Sequence, residues 1–144
     1  MKISQEGLSL IKQCEGFSGR VYLDIAGFPT IGYGHRMTRA DKYPNGITEE
    51  QAEVILQCDV LEAEEDVTRL VKVPLTQGQF DALVDFTFNL GAGRLAASTL
   101  LADLNAGQYA KAAAQLLLWD HSGAKEVEAL KARREADFNL WQKG

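Results

Sequence analysis

Apolar side chains at helical spacing open the chain and predict a first helix that ends near Glu15. Ser4, at the start of this segment, has the hydroxyl group of an N-cap residue. The apolar positions of the segment are Ile3, Leu8, Ile11 and Phe17. From residue 16 to about residue 46 the pattern changes to short β-like runs separated by glycine, proline and asparagine, which predicts a small sheet.

A second helical pattern predicts a helix of more than about twenty residues. Thr48 and Gln51 have the spacing of a capping box at its start, and Pro74 stops it. Its expected apolar positions are Val54, Cys58, Leu61, Val67, Leu70 and Val71. At about 1.5 Å per residue this helix exceeds ~30 Å, long enough to run from one lobe of a protein to another.

Further helices complete the pattern. A second capping box, Thr76 and Gln79, begins a helix toward Leu90 that Gly91 ends. The remaining helices are expected over about residues 98–105, 108–118 and 125–143.

These elements predict an α+β fold that is mostly helical. A small sheet-bearing lobe of about residues 16–60 would be joined by the long helix to a larger helical lobe of residues 1–15 and 61–144. A cleft between two such lobes is where a polymeric substrate would bind.

Composition and charge exclude several classes of function. At 144 residues the chain is one domain by size. A net charge of −5 provides no basic surface for nucleic acid or for an anionic membrane. No segment has the apolar content of a membrane-inserted helix or of a signal peptide, so we expect synthesis in the cytoplasm without a signal peptide.

The two cysteines, Cys14 and Cys58, lack the spacing of metal ligands. Both occur where the pattern is helical. We therefore expect two buried thiols in a reducing compartment rather than a disulfide.

Two carboxylates and a hydroxyl fall within sixteen residues, at the end of the first helix and in the turn-rich segment that follows. Asp24 and Thr30 flank a hairpin connection that contains glycine and proline. A carboxyl against a packed helix, as at Glu15, and another in a wetter strand can divide the roles of acid and base. On spacing alone, Glu15 is equally a surface charge, Asp24 a turn residue and Thr30 a strand residue.

Several ordered motifs in the chain match one family. They are EG at residues 15–16, YLD at 22–24, TIGYGH at 30–35, QFDALVDFTFNLG at 79–91, STLLADLNAGQY at 98–109, Trp119, and ARRE at 132–135. With these motifs the chain resembles the phage-type lysozymes, the endolysins of glycoside hydrolase family 24. Ordered motifs over nearly the whole chain are far more specific than one.

The resemblance implies one catalytic domain over residues 1–144 that cuts the β-1,4 bond between N-acetylmuramic acid and N-acetylglucosamine in peptidoglycan. Glu15 would be the general acid, and Asp24 and Thr30 would hold the attacking water in an inverting geometry with carboxyls roughly 6.5 to 9.5 Å apart. This mechanism needs no metal and no organic cofactor. We expect a monomer that reaches the cell wall after a separate holin opens the membrane.

The resemblance also assigns supporting residues. His35 matches a family histidine that pairs with an acid on the long helix, here Asp59. Arg133 and Arg134 match a segment that packs behind the active site, and one of them, with Arg134 preferred, is expected within salt-bridge reach of Glu15. The expected substrate-binding positions are Gly34, Arg36, Phe88, Asn89 and Gln115.

Three other interpretations stay open. A lytic transglycosylase acts on the same polymer but needs only the acid, so the Asp24 and Thr30 pair argues against it. A non-catalytic wall-binding module would have lost the catalytic positions, and a helical interaction protein would expose an apolar stripe.

Arg36 stands where the family more often has a threonine or a small apolar residue, a difference expected to alter one sugar subsite.

Overall fold

The computed structural model describes residues 1–122 and 125–144. The elements in chain order are α1 Gln5–Glu15, β1 Ser18–Leu23, β2 Pro29–Gly32, β3 His35–Arg36, α2 Glu49–Leu70, α3 Gln77–Leu90, α4 Ala92–Ala96, α5 Thr99–Asn105, α6 Tyr109–Leu116, β4 His121–Ser122, β5 Lys125–Glu126 and α7 Glu128–Lys143. Over the described residues the fold is mostly helical with a small antiparallel sheet. The predicted α+β class is confirmed.

The helix starts predicted from capping residues are also confirmed. The Ser4 hydroxyl accepts a backbone N–H of α1 at 3.2 Å. Thr48 and Gln51 exchange side-chain and backbone hydrogen bonds at the start of α2, and Thr76 and Gln79 do the same for α3. Each box satisfies backbone donors that the first helical turn leaves without a partner.

Boundaries differ from the sequence pattern mainly after α3. The short helix α4 was not expected, and α6 ends at Leu116 rather than near Leu118. The last helix begins at Glu128 instead of near Lys125, because Lys125 and Glu126 form β5 and pair with β4. Helical periodicity cannot detect so short a strand pair.

The described chain divides into two compact units. The helical unit comprises residues 1–10 and 62–144, and the sheet unit comprises residues 11–61. Among the described residues, no helix is both long enough and apolar enough to cross a bilayer. The single catalytic domain and the cleft expected between lobes stay predictions.

Three antiparallel strands form the sheet, in the order β1-β2-β3. Tyr22 of β1 lies opposite Thr30 of β2, and Thr30 lies opposite Arg36 of β3. Directly opposite residues point to the same face of a sheet. Tyr22, Thr30 and Arg36 therefore form one row across the sheet, which we call the sheet row.

Of the apolar positions predicted for α2, Val67 is buried, but Val54, Cys58 and Leu61 are not. Val54 is 62% exposed, Leu61 is 42% exposed and Cys58 is exposed. The buried apolar positions are Ala52, Leu56, Val60, Ala63 and Val67, and Glu64 is buried as well. That stripe keeps helical spacing along the whole helix, whereas the stripe through Val54, Cys58 and Leu61 continues into Glu65 and loses its apolar character.

The expectation of two buried thiols is wrong. Cys14 and Cys58 are both exposed. Cys58 lies on the solvent-facing side of α2 together with Val54 and Leu61, and it is exposed for that reason. Cys14 lies in the last turn of α1, one residue before Glu15.

The helical unit contains a buried cluster of four charged residues that joins α3 to α7. Arg133 donates to both oxygens of Asp85, with Nη2 2.7 Å from Oδ1. Arg134 lies 3.5 Å from Asp85 through Nη2 and 3.1 Å from Asp137 through Nε. All four side chains are almost completely buried. Buried charges of this kind are tolerated only when they are paired.

The two carboxyls of this cluster differ in their pKa. Burial raises the pKa of Asp85, but the charges of Arg133 and Arg134 together with hydrogen bonds from Asp137 and Arg133 outweigh burial, and the net shift is downward. Burial and the neighbouring Asp85 charge raise the pKa of Asp137 well above its usual range. A proton on Asp137, shared with Asp85, removes the repulsion between two adjacent carboxylates.

Replacing each carboxyl by its isosteric amide tests whether Asp85 is charged and Asp137 is protonated. We expect Asp85→Asn to lower the free energy of unfolding by about 3 to 5 kcal/mol, because it leaves buried arginine charge without its partner. Asp137→Asn should cost less than Asp85→Asn, because the raised pKa of Asp137 favours its protonated form, which an amide resembles in shape. Urea unfolding of both variants measures the difference, and a larger loss for Asp137→Asn would contradict the assignment.

The pH dependence gives a second readout. Because the folded pKa of Asp137 is raised, its contribution to stability is fully present below its unfolded pKa, roughly 3.9, and is lost as pH rises through the folded value. We therefore expect the parent to lose stability relative to Asp137→Asn over that window. Parallel stability curves for the two proteins would contradict a proton held at Asp137.

Candidate active site

Glu15 is the last residue of α1, and Gly16 ends the helix behind it. Gly16 has a φ of +71°, a left-handed conformation that favours glycine, and its N–H donates to the Lys12 carbonyl at 2.9 Å. Gly34 lies against the Glu15 side chain. A Cβ built on Gly34 would collide with Oε1 and lie 3.0 Å from Cδ of Glu15. The half-buried acid is therefore placed by a helix end on one side and a glycine backbone on the other.

Asp24 is held by the turn that joins β1 to β2. Its backbone N–H donates to the Phe28 carbonyl at 3.0 Å, and its own carbonyl accepts the Gly27 N–H at 2.9 Å. Its Oδ1 accepts the Phe28 N–H at 2.8 Å. These bonds fix the direction of the carboxylate and occupy one of its oxygens.

Arg36 lies beside the other carboxylate oxygen of Asp24. Its Nη2 is 3.9 Å from Oδ2, and its guanidinium stacks over the Phe28 ring with Cζ 3.9 Å from the centroid. Because the Arg36 side chain is 62% exposed, this ion pair contributes little to stability. Its effect is local, since it places a cation and an aromatic face beside Asp24.

Thr30 is buried and lies in the middle of the sheet row. Its hydroxyl donates to the Phe28 carbonyl at 2.9 Å. The single hydroxyl hydrogen is used in this bond, so the oxygen can act only as an acceptor toward a further group. Asp24 is likewise an acceptor when ionised.

The predicted contact between His35 and Asp59 is present. His35 Nδ1 lies 2.8 Å from Asp59 Oδ2, and its Nε2 lies 3.1 Å from Asp41 Oδ2. Asp41 also accepts the Thr38 N–H at 2.7 Å. The imidazole thus connects β3 to α2 and to the segment between them.

The neighbours of His35 change its pKa. Partial burial lowers the pKa of His35, but hydrogen bonds to Asp59 and Asp41 outweigh burial and raise it. Backbone hydrogen bonding from Thr38 lowers the pKa of Asp41, and burial raises that of Asp59. A charged imidazole between two carboxylates is the arrangement these distances support.

The other expected site residues lie in the helical unit. Phe88 and Gln115 are half-buried. Asn89 accepts a hydrogen bond from Arg134 Nη2 at 3.0 Å, which orients its amide. Arg133 and Arg134 are held by the buried cluster described above. The pairing of an arginine with Glu15, and the substrate contacts of these residues, stay predictions.

Two residues of the site, Asp41 and Tyr22, were not among the residues predicted from the sequence. Asp41 is the second acid on His35, and it is six positions away in a segment with no periodic signal. Tyr22 lies next to Thr30 in the sheet row, although it appears in the sequence only as a letter of the YLD motif. Periodicity specifies neither the strand register that places Tyr22 opposite Thr30 nor the course of the segment after β3 that brings Asp41 to His35.

The His35 contacts predict a pH-dependent contribution to stability. A raised folded pKa means that the contribution is fully present below the unfolded value, roughly 6.5, and fades as pH rises through the folded value. We expect His35→Asn to cost roughly 1 to 3 kcal/mol at pH 5.5 and clearly less at pH 9. Chemical unfolding at both pH values measures this, and equal losses would show that the charged pair does not stabilise the fold.

Known proteins resemble this chain along its whole length. A family model described as phage lysozyme matches residues 12–137. The endolysin of Bacillus phage B103 is 46% identical, over 100% of this chain and 55% of its own length. The chain likewise spans 56% of the endolysin of Bacillus phage PZA, so it covers about half of these two curated relatives.

Other relatives match from end to end. The endolysin of Acyrthosiphon pisum secondary endosymbiont phage 1 is 38% identical over 99% of both chains. The solved muramidase domain of SpmX from Asticaccaulis excentricus is 35% identical over 97% of both chains, with a TM-score of 0.87. The solved endolysin of Escherichia coli O157:H7 phage FAHEc1 is 37% identical over 98% of this chain and 93% of its own, also with a TM-score of 0.87. The chain belongs to the phage lysozyme family.

Proposed function

We propose that this chain is a peptidoglycan hydrolase that cleaves the β-1,4 bond between N-acetylmuramic acid and N-acetylglucosamine with inversion. The observation that carries the proposal is the pair of acceptors on the sheet, Asp24 and Thr30, in the same unit as Glu15 at a helix end. Relatives named as endolysins and a muramidase domain support the same activity.

In this proposal Glu15 donates a proton to the leaving oxygen as the glycosidic bond breaks. Such an acid must be positioned against the bond it protonates. The contact of Glu15 with Gly34 supports this role, because it holds the carboxyl at one place on the turn between β2 and β3.

Asp24 and Thr30 would hold the attacking water. The Asp24 Oδ1 is occupied by the Phe28 N–H and the Thr30 hydrogen by the Phe28 carbonyl. The water would donate one hydrogen to Asp24 Oδ2 and the other to Thr30 Oγ1, which leaves its lone pair for the anomeric carbon. Asp24 takes the proton as the carbon–oxygen bond forms, and Glu15 gives up its proton to the departing sugar.

Glycan would extend over groups that flank these three residues. Arg36, with its stack on Phe28, provides an exposed planar surface beside Asp24. Gly34, whose backbone lies against the Glu15 side chain, and Phe88, Asn89 and Gln115 of the helical unit would bind further sugars. An arginine of α7 paired with Glu15 would keep the acid in place.

A lytic transglycosylase is the second candidate, because it also needs a positioned acid. The two acceptors at Asp24 and Thr30 favour hydrolysis, since an intramolecular attack by the sugar needs no held water. Mass spectrometry of the products separates the two reactions. Reducing ends support hydrolysis, and 1,6-anhydro ends would replace it with transglycosylation.

Partners and export belong to the proposal as well. We propose a monomer that binds peptidoglycan strands without nucleic acid or membrane insertion, and that reaches the wall after holin-type release. Some relatives carry a different name, SAR-endolysin, as in Escherichia phage Mu, and release without a holin is the alternative route. Lysis by this chain expressed with and without a holin distinguishes the routes.

The first prediction of the proposal concerns Glu15. We expect Glu15→Gln to lower lysis of outer-membrane-permeabilised Gram-negative cells by roughly 100-fold or more, because the sole general acid is lost. Thermal stability should be equal or higher, because functional sites commonly reduce stability. More than about a tenth of parental activity would rule out Glu15 as the acid.

A second prediction uses Gly34. Gly34→Ala introduces a Cβ at a φ of +72° and pushes the Glu15 carboxyl aside, so we expect lysis to fall about 10-fold or more. Gly107→Ala is the matched control, because Gly107 has a φ of +79° and no atom within 4 Å of the added Cβ. Both variants should lose about 1 to 2 kcal/mol of stability through backbone strain. Equal activity of the two variants would contradict placement of Glu15 by Gly34.

A further inference from the structure

Tyr22 occupies a central place among the candidate catalytic groups. It lies directly opposite Thr30 in the sheet row. Opposite Cβ atoms in antiparallel strands are about 4.5 to 5.5 Å apart. Asp24 is two residues further along the chain, where side chains of an extended segment return to the same face. The 3.9 Å approach of Asp24 to Arg36, the third member of the sheet row, supports this common face.

The electrostatic surroundings of Tyr22 agree with this position. Burial raises the pKa of its phenol, and the charges of Glu15 and Asp24 raise it further. Both candidate catalytic carboxylates therefore act on this one hydroxyl. A phenol with a raised pKa stays protonated at every pH where the enzyme would work, so it can donate a hydrogen bond.

The hydroxyl of Tyr22 is available for such a bond. Tyr22 is 39% exposed, so a ligand can reach this residue. Burial and the two carboxylate charges account for the shift of its pKa, and no hydrogen bond within the described residues contributes to it. The Phe28 N–H donates to Asp24 Oδ1 and the Thr30 hydroxyl donates to the Phe28 carbonyl, so neither of these bonds uses the Tyr22 hydroxyl.

We propose that the Tyr22 hydroxyl contacts the substrate and donates a hydrogen bond to the sugar bound between Glu15 and Asp24. The acceptor would be a ring hydroxyl or an acetamido oxygen of the N-acetylated sugar. This inference rests on the proposed glycosidase activity, because the anomeric carbon must then lie between the acid and the water held by Asp24. Hydrogen bonds to the sugar that strengthen in the transition state are a recognised source of glycosidase rate enhancement.

Tyr33 provides a matched comparison in the same unit. Its ring packs against Phe17 with centroids 5.6 Å apart, and the Lys12 ammonium lies 5.7 Å from its centroid. These contacts use the ring and not the hydroxyl. Removing the Tyr33 hydroxyl should therefore leave activity unchanged, whereas removing that of Tyr22 should not.

The first part of the test is independent of activity. Tyrosine labelled with ¹³C at Cζ is titrated by NMR, and Tyr22→Phe identifies the Tyr22 signal. We expect Glu15→Gln and Asp24→Asn each to lower the pKa of Tyr22. An unchanged Tyr22 titration in both variants would show that the phenol does not lie between the carboxylates and would overturn the inference.

The second part measures turnover of purified, uncrosslinked glycan strands. We expect Tyr22→Phe to lower kcat/KM about 10-fold, mainly through kcat, with an unchanged Tm, and Tyr33→Phe to match the parent. Full activity of Tyr22→Phe, or equal losses in both variants, would overturn the substrate contact. Full activity of Glu15→Gln in the same assay would instead refute the proposed function, so the two failures are distinguishable.

Discussion

The register of β2 with its two neighbours is the constraint on which the candidate site depends. Thr30 lies opposite Tyr22 on one side and Arg36 on the other, and Asp24 is fixed by the turn that closes the same hairpin. A slip of one residue would turn Thr30 to the opposite face and separate its hydroxyl from Asp24. Glu15 is placed independently, by the helix end at Gly16 and by Gly34.

Charge has different uses in the two units. In the helical unit, the buried carboxyls of Asp85 and Asp137 pair with the buried guanidinium groups of Arg133 and Arg134. Loss of one partner there lowers the free energy of unfolding strongly. In the sheet unit, the pair of Asp24 and Arg36 is open to solvent, so it contributes little to stability and leaves the carboxylate accessible. Stability and the proposed chemistry thus rest on separate groups of charged residues.

The fold class, the caps of α1, α2 and α3, and the contact of His35 with Asp59 could be predicted, because capping residues and family motifs are local signals. The buried face of α2 could not, because Val54 and Leu56 are both apolar and only packing decides between them. The roles of Tyr22 and Asp41 could not be predicted from the sequence either. Each depends on a partner brought near by the fold, as Thr30 is for Tyr22, and one sequence does not specify such pairings.

In the proposed mechanism, Asp24 and Thr30 hold the water that attacks the glycosidic bond. Attack from the side opposite the leaving sugar inverts the anomeric centre. Proton NMR of purified glycan strands in the first minutes of digestion, before mutarotation, reads the configuration of the new reducing end directly. We predict initial release of the α anomer, and initial release of the β anomer would contradict attack by a water held at Asp24 and Thr30.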